Sequence, residues 1–258
     1  MDIKDKVVVV TGGASGIGRA AAIRFAAGGA RGVVVADINA DALAPVADAV
    51  KGLAVRCDVS KEEDIKALVA AAEKKYGQVD VFFSNAGISG GQGGFEIDDA
   101  IWEASWKIHG MAHVWAARAT VPKMMARGSG YFLITASAAG LLNIVESAPY
   151  AVTKHAAVAF AEWLSIAYGR RGVKVSCLCP QAVRTGMVPG DGGSAGGDGI
   201  LTAEQVAEDI IRVMGEESFL ILPHPQVLEY ARMKTNNYDR WLGGMQKMYE
   251  RFRAAKKS

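Results

Sequence analysis

The sequence predicts a single doubly wound α/β domain, with a seven-stranded parallel sheet covered by helices on both faces. Short runs of Val, Ile, Leu and Phe alternate with longer stretches of helical periodicity, the pattern of repeated βαβ units. These runs are apolar without alternation, as expected of strands covered on both faces. No internal repeat and no Pro- or Ser-rich linker divides the 258 residues, a length that can bury one sizeable core.

Composition narrows the classes further. Half of the residues are hydrophobic and 22% are charged, which argues against a disordered chain or one that coats nucleic acid. A formal net charge of +2 says little about partners, and the basic end at 251–258, "RFRAAKKS", reads as a solvated terminus. No apolar run reaches the roughly 20 residues that cross a bilayer, and the start "MDIKDKVVVVTGG" lacks the basic region and cleavage site of a signal peptide. The expectation is a cytoplasmic protein with no membrane or nucleic-acid partner. Cys57, Cys177 and Cys179 have no His at metal-ligand spacing; they read as small core residues, and no metal is expected.

The elements follow in order. Strand Val7–Val10 runs into Thr11-Gly-Gly-Ala-Ser-Gly-Ile-Gly18, and the helical stretch "RAAAIRFAA" comes next. In that context backbone amides and a helix N-terminus hold a pyrophosphate: Gly12 gives the tight turn, Gly16 the close approach and Gly18 the helix packing, with Ser15 and Ile17 beside them. Strand Val33–Ala36 ends at Asp37, whose carboxylate can accept from an adenosine ribose and would repel a 2′-phosphate. No basic residue stands at Ile38 or inside the turn at Ala14 or Ser15, so NAD is expected over NADP. A helix N-cap is the other reading of Asp37, with Asn39 competing for it.

Strand Leu53–Cys57 precedes Ser60-Lys-Glu-Glu63, which fits a capping box, as does Thr202-Ala-Glu-Gln205 later. Strands Val79–Phe83, Tyr131–Thr135, Val173–Leu178 and Phe219–Leu222 complete the sheet. Between them "YAVTK" at Tyr150–Lys154 sets a phenol and an ammonium one helical turn apart. Glycine-rich stretches Gly87–Gly94 and Gly186–Gly199 both follow strands. Ligands in open parallel sheets bind beyond the strands' carboxyl ends, so these loops either flank a site or are plain surface loops.

Thr11-Gly12-x-x-x-Gly16-x-Gly18, Asp58 in "CDVS", "NAG" at Asn85–Gly87, Ser137, Tyr150-x-x-x-Lys154 and "CPQAVRT" ending at Thr185 stand in the order and spacing of a known set. From about residue 6 to residue 225 the chain resembles the short-chain dehydrogenase/reductase family, which implies a Rossmann-type fold. The resemblance implies that Tyr150 is the general acid/base, that Lys154 lowers its pKa and holds the nicotinamide ribose, and that Ser137 orients the substrate oxygen. It also implies contacts to the cofactor from Asp58 with Val59, Asn85 with Ala86 and Gly87, and Val183 with Thr185, and a homodimer or homotetramer. For Asn85 a brace between the central strands remains open, and for Asp58 a helix-start role, since Ser60 opens the next helix. Moving a phenol from about 10 to about 7 requires roughly 4 kcal/mol. One cation about 4 Å away at an effective dielectric of 20 supplies an interaction of that order.

Two positions depart from the family pattern. His109 in "WEASWKIHGMA" stands where the family has an asparagine credited with holding a water that relays protons to the lysine. Imidazole also donates and accepts, so the relay is expected to be tolerated, with Lys154 depressing the His109 pKa; a plain packing histidine is the other reading. Gln181 replaces the glycine after the proline of "CPQAVRT" and cannot take positive φ as cheaply, which puts the local loop path in doubt.

The candidate substrate residues are Leu142, Val145 and Met187, with Leu141, Ile144 and Val188 near them; all are apolar, and each is also a plausible core residue. The C-terminal extension at about 226–252 reads as a cover for the pocket, a partner contact or an amphipathic helix on the core. The function expected is NAD-dependent interconversion of a hydrophobic or aromatic secondary alcohol and its ketone, with a small-molecule substrate. A non-catalytic NAD(H)-binding sensor or scaffold, or a β-ketoacyl-type reductase, remains as the alternative.

Overall fold

The computed structural model describes residues 1–187, 190 and 192–255. Among them, seven strands form one parallel sheet in the order β3-β2-β1-β4-β5-β6-β7. They are β1 Val7–Thr11, β2 Gly32–Asp37, β3 Leu53–Arg56, β4 Val81–Ser84, β5 Gly130–Thr135, β6 Val173–Leu178 and β7 Leu220–Ile221. The strand order reverses between β1 and β4, so their carboxyl ends open a crevice at the switch point.

One apolar layer packs the sheet against α1 (Gly16–Ala27), α2 (Ala40–Ala49) and α8 (Ala203–Glu216). The opposite layer packs it against α3 (Glu62–Tyr76), α5 (Ala112–Ala126) and α7 (Ala148–Tyr168). Strands β1, β4 and β5 are buried at every position, which is why their sequences show no alternation. Edge strand β3 instead alternates half-buried and exposed residues, a departure from the doubly covered pattern that follows from its having a neighbour on one side only.

The boundaries shift where side chains intervene. The fourth strand starts at Val81 rather than Val79, and just before it the Asp80 carboxylate accepts the Val7 N–H at 2.8 Å. Ser60 does not cap α3. Its N–H and Oγ both bond Asp58 Oδ1, at 3.0 and 2.6 Å, and the cap position falls to Lys61, which makes no side-chain cap bond. Thr202 and Gln205 do form a reciprocal capping box on α8. All three cysteines are free and buried, Cys177 Sγ lying 3.7 Å from Cys179 Sγ.

Short α4 (Asp99–Trp106) continues through a π-helical turn, Lys107–Met111, into α5. After the one-turn α6 (Ala139–Leu142), Ser147 starts α7 by accepting the Tyr150 N–H. Helices α9 (Gln226–Asn236) and α10 (Tyr238–Ala255) close the described chain. Among the described residues no helix is long and apolar enough to cross a membrane.

Candidate active site

The glycine turn sits at the switch point with the β4 end against it. Gly12 has φ +65°, and a Cβ there would meet Ala86 Cα at 2.9 Å; one on Gly18 would stand 2.1 Å from Gly12 O. Only hydrogen fits at either position, and the backbone is left open to an incoming phosphate. Thr185 lies over the same turn, its Cγ2 3.0 Å from where a Gly16 Cβ would be. Asp37 bonds at the tip of β2 with both oxygens, accepting from Ala14 N at 3.2 Å and Asn39 N at 3.1 Å, while Asn39 caps α2. The residues present therefore fit a dinucleotide: a bare glycine cradle beside a carboxylate at the ribose position of such folds. Among the described residues no cluster of His, Cys, Asp or Glu is arranged to hold a metal ion.

Asn85 is a brace. Its Nδ2 donates to Thr11 O at 3.0 Å, its Oδ1 accepts from Thr135 Oγ1 at 2.9 Å, and its N–H goes to Thr11 Oγ1 at 2.9 Å, tying the ends of β1, β4 and β5 together. Thr11 Oγ1 also takes the Ala86 N–H. Asp58 likewise holds a turn, through Ser60, and these bonds keep its carboxyl below the ordinary range.

Beyond the end of β5 three side chains converge. Ser137 Oγ, which donates to Pro180 O at 3.5 Å and accepts the Ala139 N–H at 3.1 Å, stands near the half-buried Tyr150 phenol, and Lys154 Nζ lies 5.6 Å from the centre of the Tyr150 ring. Lys154 is 3% exposed and donates to Thr135 O at 2.9 Å. Burial pushes its pKa down to about 8. Burial also holds Tyr150 above its usual value, with the nearby Ser137 hydroxyl acting in the opposite direction. In the cleft as it stands desolvation of the phenolate is the largest influence, and it works against the depression expected from one nearby cation.

His109, on the π turn, is fully buried. Its Nε2 accepts the Ile88 N–H at 3.0 Å and its Nδ1 is 2.9 Å from Thr153 Oγ1. Thr153 donates its own proton to Pro149 O at 2.7 Å, so His109 Nδ1 carries the hydrogen and the ring is neutral. Burial first, then Lys154, keeps it so. Both nitrogens are occupied, and the ring as placed has none free for Lys154. It packs edge-on against Tyr150 at 5.5 Å between centroids, and Gly87 lies between it and Lys154.

Gln181 causes no strain, since it is absent from the residues with positive φ. Its N–H donates to His224 Nδ1 at 3.2 Å, and its Oε1 is buried without a partner. Leu142 and Val145 line a cavity of about 470 Å³, with Ile144 beside them and Gly93 and Gly94 on the facing loop. Met187 is exposed and outside that lining, while Leu141 packs into the core. Val188 and the last residues of the basic end, 256–258, lie outside the described residues. Trp241, Leu242, Met245 and Tyr249 of α10 line the same cavity. Within 186–199, Ser194 is held by Glu146 through bonds of 2.7 Å to each carboxylate oxygen.

Several residues of the site carry no sequence signal. Thr135, Thr153, Ile88 and His224 contribute a carbonyl, a hydroxyl, an amide and a ring nitrogen whose partners are distant in the chain.

The crevice, the glycine cradle and the Ser, Tyr and Lys cluster define a dinucleotide-dependent class of fold. The sequence profile described as short chain dehydrogenase matches residues 6–192, and the chain belongs to that family of oxidoreductases. It is 38% identical over 231 residues to 1-deoxy-11-beta-hydroxypentalenate dehydrogenase of Streptomyces exfoliatus, covering 86% of this chain and 84% of the relative. It is 38% identical over 193 residues to 2,5-dichloro-2,5-cyclohexadiene-1,4-diol dehydrogenase of Sphingobium indicum, covering 72% and 76%. A short chain dehydrogenase/reductase of Burkholderia phymatum, solved in complex with NAD, superimposes with a TM-score of 0.84 at 30% identity, covering 93% of this chain and 96% of that one.

Proposed function

We propose that the protein is an NAD-dependent dehydrogenase that interconverts an apolar secondary alcohol and its ketone, with Tyr150 as general acid/base. The observation that carries this reading is the Tyr150 phenol set between the Ser137 hydroxyl and the Lys154 ammonium beyond the end of β5. Gly12, Gly16, Gly18 and Asp37 would hold the cofactor, and the Asp37 carboxylate favours NAD because a 2′-phosphate beside it would be repelled. The bound nicotinamide exchanges hydride with the substrate carbon. Ser137 donates a hydrogen bond to the substrate oxygen, and Tyr150 takes that oxygen's proton in oxidation or returns it in reduction. Lys154 favours the phenolate by its charge.

The relatives are by name dehydrogenases of a hydroxypentalenate and of a cyclohexadiene diol, and the cavity's largely apolar lining supports a hydrophobic substrate. A homodimer or homotetramer fits the same reading, since α7 exposes Val152, Trp163 and Ile166, the last at 82%. The free, buried thiols fit a cytoplasmic setting.

The test is NADH formation from NAD with aliphatic, aromatic and steroid-sized secondary alcohols, with NADP and Tyr150→Phe run in parallel. Turnover with NAD should exceed that with NADP and should fall by about 10² or more in the variant, the range of general acid/base catalysis. Retention of most turnover by Tyr150→Phe would remove the assignment.

A further inference from the structure

The cavity beside the site is lined mostly by apolar side chains, with Asn143, Gln246 and Lys234 among its polar ones. Leu142, Val145, Trp241, Leu242 and Met245 form much of its wall, and Lys234 of α9 is the single charged side chain in the lining. No Asp or Glu lines it, and among the described residues no carboxylate lies within ion-pair distance of Lys234. The ammonium meets only neutral groups. It donates to Leu141 O at 2.7 Å, faces His155 Nε2 at 3.5 Å and stands 5.7 Å from the centre of the Tyr238 ring. His155 Nδ1 is 2.8 Å from Ala151 O and donates there, and in the neutral ring Nε2 is then the acceptor that faces Lys234. Two of the three Lys234 N–H bonds are thereby placed, and among the described residues the third has no acceptor.

A half-buried cation with no counter-ion, set in an apolar wall, is costly to the fold, and burial lowers its pKa accordingly. A ligand carboxylate at that point would form a charge-assisted bond while its carbon skeleton covers the apolar wall. The cavity also adjoins the reacting groups along the chain. Leu142, Val145 and Ala148 belong to the stretch that joins Ser137 to Tyr150, and the Leu141 carbonyl that fixes Lys234 lies in it too.

We infer that this cavity binds an apolar skeleton bearing a carboxylate, with Lys234 as the anion anchor, so that the substrate is an apolar hydroxy acid or keto acid. The substrate part of this inference rests on the dehydrogenase reading above; the anion site itself does not. Lys234 touches neither the Tyr150 phenol nor the cofactor cradle, and acts as a specificity residue.

Two measurements separate the two ideas. In the first, calorimetric titration compares adamantane carboxylate with neutral adamantane carboxamide, on the full chain and on its Lys234→Gln and Lys234→Arg variants. Gln keeps a donor for Leu141 O without the charge, and Arg keeps the charge. The acid should bind the wild type about tenfold tighter than the amide, as expected of one charge-assisted contact. That preference should vanish in Lys234→Gln and return at least in part in Lys234→Arg. Equal binding of acid and amide by the wild type, or a preference that survives Lys234→Gln, would overturn the anion site.

In the second, a hydroxyadamantane carboxylate with a secondary alcohol and its methyl ester are compared as substrates with NAD. The acid should have the higher kcat/KM through a lower KM, and Lys234→Gln should bring acid and ester to parity by raising the KM of the acid. Acid selectivity in binding with no NADH formed from either compound would keep the anion site and count against the dehydrogenase reading. Turnover with no acid preference would do the reverse.

Discussion

Lys154 shows what burial does at the scale of one residue. The ammonium is almost fully enclosed, bonded only to the neutral Thr135 carbonyl, and its pKa falls to about 8 from 10.5. Between those values the unfolded chain binds a proton that the folded chain releases, so stability rises with pH across that window and the penalty is fully present below about 8. The difference amounts to about 3 kcal/mol at most. The buried thiols of Cys57, pushed up to about 12, and Cys177, also raised, remove stability as pH rises over the same window. The readout is therefore a comparison: from pH 8 to 10 the urea midpoint of the cofactor-free wild type should rise relative to that of Lys154→Met. The same pH dependence in both proteins would show that the ammonium is not destabilised by its surroundings. Tyr150 follows the same physics with opposite charge: burial disfavours the phenolate, so the group that takes the proton depends on Ser137, Lys154 and whatever else enters the cleft.

At the scale of the element, the π turn between α4 and α5 matters most. Such turns occur mostly as single interruptions of α-helices, frequently at functional sites. Here it carries His109, which joins that helix to the loop after β4 through Ile88 and to α7 through Thr153. The histidine thus fixes the spacing between the strand end and the helix of Tyr150, and does so as a neutral ring with no nitrogen to spare. His109→Asn keeps a polar side chain that can reach one partner, and losing one neutral hydrogen bond of about 1 kcal/mol corresponds to roughly a fivefold effect. Turnover should stay within about tenfold of the wild type, as kcat measurements would show; abolition would mean that the imidazole does more than position.

The whole molecule carries a second buried histidine in the same layer. His113 bonds Ser84 Oγ at 2.7 Å, its Nε2 has no partner, and burial pushes its pKa down to about 3. His109 is depressed in the same direction. As pH falls through 6.5 the unfolded chain gains protons that the folded chain refuses, so stability declines from there down to about 3. His113 alone is worth about 5 kcal/mol across that span, a large part of the stability of an ordinary domain. The protein should lose stability on acidification well above pH 3. His113→Gln should lower the slope of unfolding free energy against pH between 4 and 6.5, measured by denaturant titration. An unchanged slope would show that another group controls acid unfolding.

The sequence by itself determined what depends on neighbours in the chain or on period. The seven strands follow from apolar runs, the glycine turn from residues that must lack Cβ, the α8 start from a local capping box, and the Tyr150 and Lys154 pair from one helical turn. Ser60 shows the limit even locally, because a carboxylate two residues earlier competed for its hydroxyl and took it. Tertiary structure decided whatever needs two distant segments to meet. It gave Asn85 to the brace between β1 and β5, filled both nitrogens of His109, left Gln181 unstrained beside His224, turned Met187 outward and brought α10 to the cavity wall. The physical reason is that a hydrogen-bond partner or a buried face is supplied by whichever group packing brings within about 3 Å, and no local pattern in the chain records that distance.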